Sequence, residues 1–247
     1  MSSLKREYPV PSKCVADRFR NLAGIDRFCY ITYIWIDGTG EHLRSKTKVA
    51  ETVPKSIEDV KPWSYDGSSC YQAVGGDSDM EVRAVRMCED PFMPPGSKLV
   101  LCDVYDANGN PHVSNKRHSA VEAYEECRDQ TPTFGFEQEY TLLGGDNRPY
   151  GFPSTGLPEA QGPFYCGTGV EVALGRDVCD SHLFACQYAG LNLWGTNSEV
   201  MPGQWEYQTS PEEGVFAADT LWLSRYILQR VGEEFGIGIT LDPKPFP

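Results

Sequence analysis

Residues 27–37 (RFCYITYIWID) alternate aromatic and β-branched side chains over a full strand length, and no helix tolerates that pattern well. Gly38-Thr39-Gly40 then breaks the run and residues 43–49 resume it, which predicts strand, turn, strand. Residues 98–104 (KLVLCDV) predict a further strand. Between them Pro54, Pro62, Gly67, Gly75-Gly76 and residues 91–96 interrupt every periodicity, so long ordered loops are expected there. The first half is expected to be a small sheet.

From about residue 115 the period changes. Ser114 or Asn115 can cap a helix running to about residue 128, with Glu122, Glu125 and Glu126 on its wet face. Residues 133–143 predict a strand and 151–169 a Gly/Pro-rich loop. A helix over 176–189 carries Val178, His182, Cys186 and Ala189 on one stripe. A hairpin over 192–209, a helix over 215–234 with Leu221, Leu223, Ile227, Leu228 and Val231 at helical spacing, and a strand over 237–241 follow. The class is α+β, with a small sheet domain ahead of a mixed α/β one. The expected boundaries are an arm over 1–26, a sheet domain over 27–110 and a mixed α/β domain over 111–247.

Composition excludes some partners. A net charge of −13, without a dense Lys/Arg cluster, repels phosphate backbones and anionic lipid headgroups, so neither nucleic acid nor a membrane is expected. Nine scattered cysteines without a C-x-x-C pair fit reduced thiols, and the first residues, MSSLKREYPVPSK, contain no apolar signal stretch. The expected compartment is the cytoplasm. His182, on a helical stripe, is expected to be packed rather than ligating.

Two acidic patterns stand apart from ordinary surface charge. In a strand, Glu137 and Glu139 project on one side, about 7 Å apart, and want either a cation or a wet edge. In residues 197–208 (NSEVMPGQWEYQ), Pro202-Gly203 suits the centre of a type II turn. A two-residue hairpin around it would set Glu199 directly across from Glu206, a destabilising pair unless a divalent metal lies between them or the register slips. Ligation by carboxylates alone points to magnesium or manganese.

The segments FGFEQEYTLL, GPFYCGTG, GRDVCDSH, NSEVMPGQWEYQ and DPKPFP, preceded by YIWIDGTGEHLRSKT and PWSYDGSS, are similar in order and spacing to eukaryotic-type glutamine synthetases. The resemblance runs from Arg27 to Pro247. It implies a β-grasp-like N-terminal sheet domain and a glutamine synthetase/guanido kinase-like catalytic domain, here incomplete at its C-terminal side. It also implies ATP-dependent joining of ammonia to L-glutamate through γ-glutamyl phosphate. By the same resemblance Glu139, Glu199 and Glu206 hold the metal facing glutamate and ammonia, and Glu137 serves the metal that holds the phosphates of ATP. Glu206, Tyr207, Gln208, Thr209, Ser210 and Pro211 form the nucleotide-contacting segment. Asp66 binds ammonium and takes up its proton, reaching into a neighbouring subunit of a homo-oligomer of stacked rings.

The family continues past DPKPFP with a metal-binding His, a loop bearing a catalytic Glu, and several Arg residues, none of which this sequence contains. A chain ending there is expected to be weakly active or inactive, or to serve as a shortened subunit in mixed rings. Larger amines in place of ammonia remain a third expectation. At residues 81–86 (EVRAVR) the family has a less basic, Pro-containing run, which leaves the shape of that segment open.

Overall fold

The computed structural model describes residues 13–158 and 160–245; residues 1–12 of the N-terminal arm, the Cys14 thiol and the final Phe246-Pro247 of the last motif lie outside them. A short helix α1 (Lys13–Arg20) leads into β1 (Cys29–Ile36), β2 (Leu43–Ala50), β3 (Trp63–Asp66), β4 (Asp79–Glu89) and β5 (Lys98–Asp106). These form one sheet in the order β2-β1-β5-β4-β3, with β1 and β5 parallel at its centre.

The expectation of loops between residues 50 and 97 is corrected here, because β3 and the eleven-residue β4 occupy much of that stretch. Met80, Val82 and Ala84 alternate as a strand should, but a bulge between Ala84 and Arg86 inserts Val85 and reverses the phase. The break in phase hides the strand from a period-two reading. Both basic residues of EVRAVR are held in place: Arg83 pairs with Glu81 at 2.6 Å and lies over the Tyr105 ring, and Arg86 reaches Glu212 at 2.9 Å.

The second half holds α2 (Lys116–Glu126), β6 (Thr133–Phe134), β7 (Glu137–Leu143), α3 (Arg176–Ala189), β8 (Leu193–Ser198), β9 (Gln204–Thr209), β10 (Glu212–Glu213), α4 (Val215–Phe235) and β11 (Gly238–Thr240). Asn115 caps α2 by accepting from the His118 N–H. Gly190 and Gly236, both in the left-handed region, terminate α3 and α4. The strand expected over 133–143 is two strands, since β6 leaves the ladder at Gly135 to pair with β10.

The antiparallel sheet β11-β7-β9-β8 is covered on one face by α3 and α4. Tyr140, Leu142, Trp205 and Tyr207 supply that face, and their core continues into Ile34, Leu99 and Leu101 of the first sheet. The opposite face of the first sheet packs its own cluster around Tyr33, Trp35, Val82, Val100 and Val104. A buried ion group joins the halves: Arg117 of α2 forks onto Asp219 of α4 at 2.7 and 2.9 Å and stands 3.6 Å from Asp103 of β5. His182 is packed as expected, its Nε2 donating to the Ser224 carbonyl and its ring against Tyr207.

Candidate metal centre on the uncovered sheet face

Strand alternation splits β7 and β9 into two sets. The 138/140/142 and 205/207/209 positions turn to the helices, which leaves Glu137, Glu139 and Thr141 of β7 and Gln204, Glu206 and Gln208 of β9 on the other side. Glu139 stands directly across from Glu206, and Glu137 across from Gln208.

The hairpin register differs from the expected one. Pro202-Gly203 does form the turn: Gly203 has φ 73°, and the Gln204 N–H donates to the Met201 carbonyl at 3.1 Å. However, Glu199 bonds Gln204 through its backbone N–H at 2.8 Å, and Glu206 faces Asn197. The register is slipped by two residues, so Glu199 lies diagonal to Glu206 on the same face. The cause is non-local. The Gly203 carbonyl accepts from Leu142 N–H at 2.8 Å, which fixes the turn against β7 and leaves Val200 and Met201 as extra loop.

Carboxylate oxygens of Glu139, Glu199 and Glu206 come within 4.8 Å of one another. Oxygens around an octahedral magnesium or manganese ion stand roughly 3–4.2 Å apart, given bonds of roughly 2.1 Å, so a small rotation of the side chains closes the set around one ion. Among the described residues no Lys or Arg forms an ion pair with any of the three or with Glu137. Partial burial raises the Glu206 carboxyl above its ordinary range; the Gln208 amide opposes this, while the charges of Glu137, Glu199 and Glu139 add to it. The oxygen-only donor set and the uncancelled negative charge fit a hard divalent cation.

The loop before α3 supports the site from the side. Ser198 donates to the Phe164 carbonyl at 2.8 Å, and Cys166 N–H donates to the Ser198 carbonyl at 2.9 Å, which ties the GPFYCGTG segment to the residue before Glu199. Trp205 Nε1 donates to the Leu174 carbonyl at 2.8 Å and fixes β9 from the helix side.

Of the segment Glu206–Pro211, only Glu206 and Gln208 face the acidic cluster. Tyr207 is in the core with its hydroxyl 2.8 Å from Ser224, Thr209 shares that side and accepts the Phe136 N–H, and Ser210 is buried. The side chains of Tyr207 and Thr209 are therefore turned away from anything bound over the glutamates. Asp66 lies in edge strand β3 of the other sheet. The hydroxyls of Ser69, Ser68 and Ser78, with the Ser68 N–H, hold its carboxyl well below the usual carboxylate range.

The comparisons with known proteins decide the family. The family model "Glutamine synthetase, beta-Grasp domain" matches residues 27–107, and "Glutamine synthetase, catalytic domain" matches residues 115–247. This chain belongs to the glutamine synthetase family. It is 50% identical over 234 residues to "Glutamine synthetase 1, mitochondrial" of Drosophila melanogaster, covering 94% of this chain and 58% of that protein. It is 51% identical over 215 residues to "Glutamine synthetase" of Gallus gallus, covering 87% and 58%, and 48% identical over 246 residues to "Probable glutamine synthetase" of Caenorhabditis elegans, covering 99% and 67%. The chain thus spans somewhat under two thirds of the length of the fly and chicken synthetases. The fold class follows from the same matches, a β-grasp sheet followed by catalytic-domain elements.

The residues that sequence reasoning passed over are Asn197 and Gln204. Each sits two positions from a cluster glutamate on the same strand face, Asn197 before Glu199 and Gln204 before Glu206, and that spacing alone could have found them.

Proposed function

We propose that this chain serves ATP-dependent ligation of ammonia to L-glutamate through γ-glutamyl phosphate, releasing glutamine, ADP and phosphate. The observation that carries the reading is the convergence of Glu139, Glu199 and Glu206 on a sheet face without a basic partner, in a member of the synthetase family. Those three hold a magnesium or manganese ion, and Glu137, across from Gln208, serves a second ion at the phosphates of ATP. Bound ions neutralise charge while a phosphoryl group passes between two anions. The glutamates supply fixed negative oxygens, and α3 and α4 hold β7 and β9 rigid behind them.

Asp66 is the ammonium-binding carboxylate of a neighbouring subunit's site in an assembly of stacked rings. Its serine hydroxyl donors favour the ionised form, which suits capture of ammonium as a cation more than early uptake of its proton. Asp66 and the glutamates belong to separate sheets, and this also favours a second reading: a subunit of mixed rings that donates Asp66 to another chain's site. Cytoplasmic residence is part of the proposal. Relatives named mitochondrial and cytoplasmic both match, and no helix among the described residues is long and apolar enough to cross a membrane.

Calorimetric titration of manganese into the full chain tests the site. Wild type binds, and the Glu199→Gln/Glu206→Gln variant does not; binding unchanged by the double substitution removes the proposal. Sustained ATP-dependent glutamine formation by the pure chain would rule out the donor-subunit reading.

A further inference from the structure

Each cluster glutamate is held by a side-chain amide. Gln204 Nε2 donates to Glu139 Oε2 at 2.9 Å, Asn197 Nδ2 donates to Glu199 Oε1 at 3.3 Å, and Gln208 Nε2 donates to Glu206 Oε1. The last two are linked, since Gln208 Nε2 also donates to Asn197 Oδ1 at 3.0 Å. Gln204 is buried, and all three amides lie on the glutamate face of the sheet.

We infer that Gln204, Gln208 and Asn197 are positioning residues that set the rotamers of the three glutamates and so determine how tightly a divalent cation binds. This inference rests on the metal reading above. An amide N–H bonded to one carboxylate oxygen fixes the plane of the group. Among the described residues the second oxygen carries no hydrogen bond in Glu139 and Glu206, and in Glu199 it accepts the Val200 N–H at 3.1 Å, which leaves its other lone pair for an ion. A Lys or Arg would orient a carboxylate equally well but would cancel the charge that attracts the cation. A neutral amide orients without neutralising.

One glycine supports the arrangement. A Cβ on Gly195, which stands across from Gln208, would meet Gln208 Oε1 at 2.9 Å and no other atom within 4 Å. Gly195 does not occupy the left-handed region, so alanine fits its backbone and disturbs only the end of the Gln208 side chain.

The test uses the full chain and manganese alone, with affinity read by calorimetry and the bound ion's environment by electron paramagnetic resonance. Gln204→Met and Gln208→Met keep length and remove the donor. The expected result is affinity about 10–100-fold weaker for each, with metal-free thermal unfolding unchanged and an altered resonance spectrum at saturating metal. Gly195→Ala is expected to weaken binding in the same direction by crowding the Gln208 amide, with every glutamate and amide residue kept. It keeps the test open if a Met variant fails to fold. Wild-type binding with unaltered affinity and spectrum in the variants overturns the positioning role and leaves the metal site standing. Absence of binding by wild type overturns the metal site itself.

Discussion

Glu139 of β7 and Glu206 of β9 occupy directly opposed positions of one antiparallel ladder. Like charges so placed cost roughly 0.2–1 kcal/mol when nothing positive lies between them. Glu206→Gln is therefore expected to raise stability in metal-free, low-salt buffer by about 0.5 kcal/mol, an effect that shrinks at high salt. Added manganese should reverse the order, because only the wild type gains binding energy on folding. Thermal unfolding of both proteins with and without manganese reads this directly.

His182 predicts an acid-side loss of stability. Complete burial pushes its imidazole down from 6.5 to about 4. The folded state therefore stays neutral at pH values where the unfolded chain takes up a proton. Stability is full above pH 6.5 and falls as pH drops towards 4, by about 3 kcal/mol from this group alone. Denaturant unfolding across that range should show the slope in wild type and a shallower one in His182→Gln.

Arg117 is the sole cation paired with Asp219 and Asp103 among the described residues. Arg117→Met leaves two buried carboxylates facing each other and is expected to cost about 3–5 kcal/mol, measured by urea unfolding. Burial raises the Asp103 carboxyl, with Asp219 adding to the shift, and the loss should shrink in mild acid as that group takes up a proton.

Gly203→Ala tests the turn that fixes the register. Its φ of 73° is unfavourable for alanine, and the added Cβ would meet the Tyr150 carbonyl oxygen at 2.4 Å. Loss of at least about 2 kcal/mol in urea unfolding is expected, with weaker manganese binding because Glu199 and Glu206 flank the hairpin.

Much of the fold was legible where structure is decided locally. The Asn115 cap and the stripes Val178/His182/Cys186 and Leu223/Ile227/Val231 placed the helices to within a few residues. The pattern from Arg27 onward placed β1, β2 and β5. What sequence reading missed depends on partners distant in the chain. The bulge at Val85 exists because β4 must match β5, and the hairpin register depends on the bond from Leu142 N–H to Gly203. At the site, Glu137 and Glu139 sharing a face followed from alternation, and the same rule applied to Glu206 would have turned Tyr207 inward. The motif as a whole concealed that alternation.

The two central strands of the first sheet belong to both hydrophobic clusters, with Ile34, Leu99 and Leu101 facing one way and Tyr33, Trp35, Val100 and Val104 the other. In evolutionary terms the β-grasp segment is therefore no interchangeable module. Recombining it with a foreign partner would strip one whole side of β1 and β5 of its packing, so the two segments must inherit their changes together. A drift in size on the Leu99/Leu101 face of β5, which packs against α4, would have to be answered on that helix, far along the chain, before the glutamate face could keep its shape.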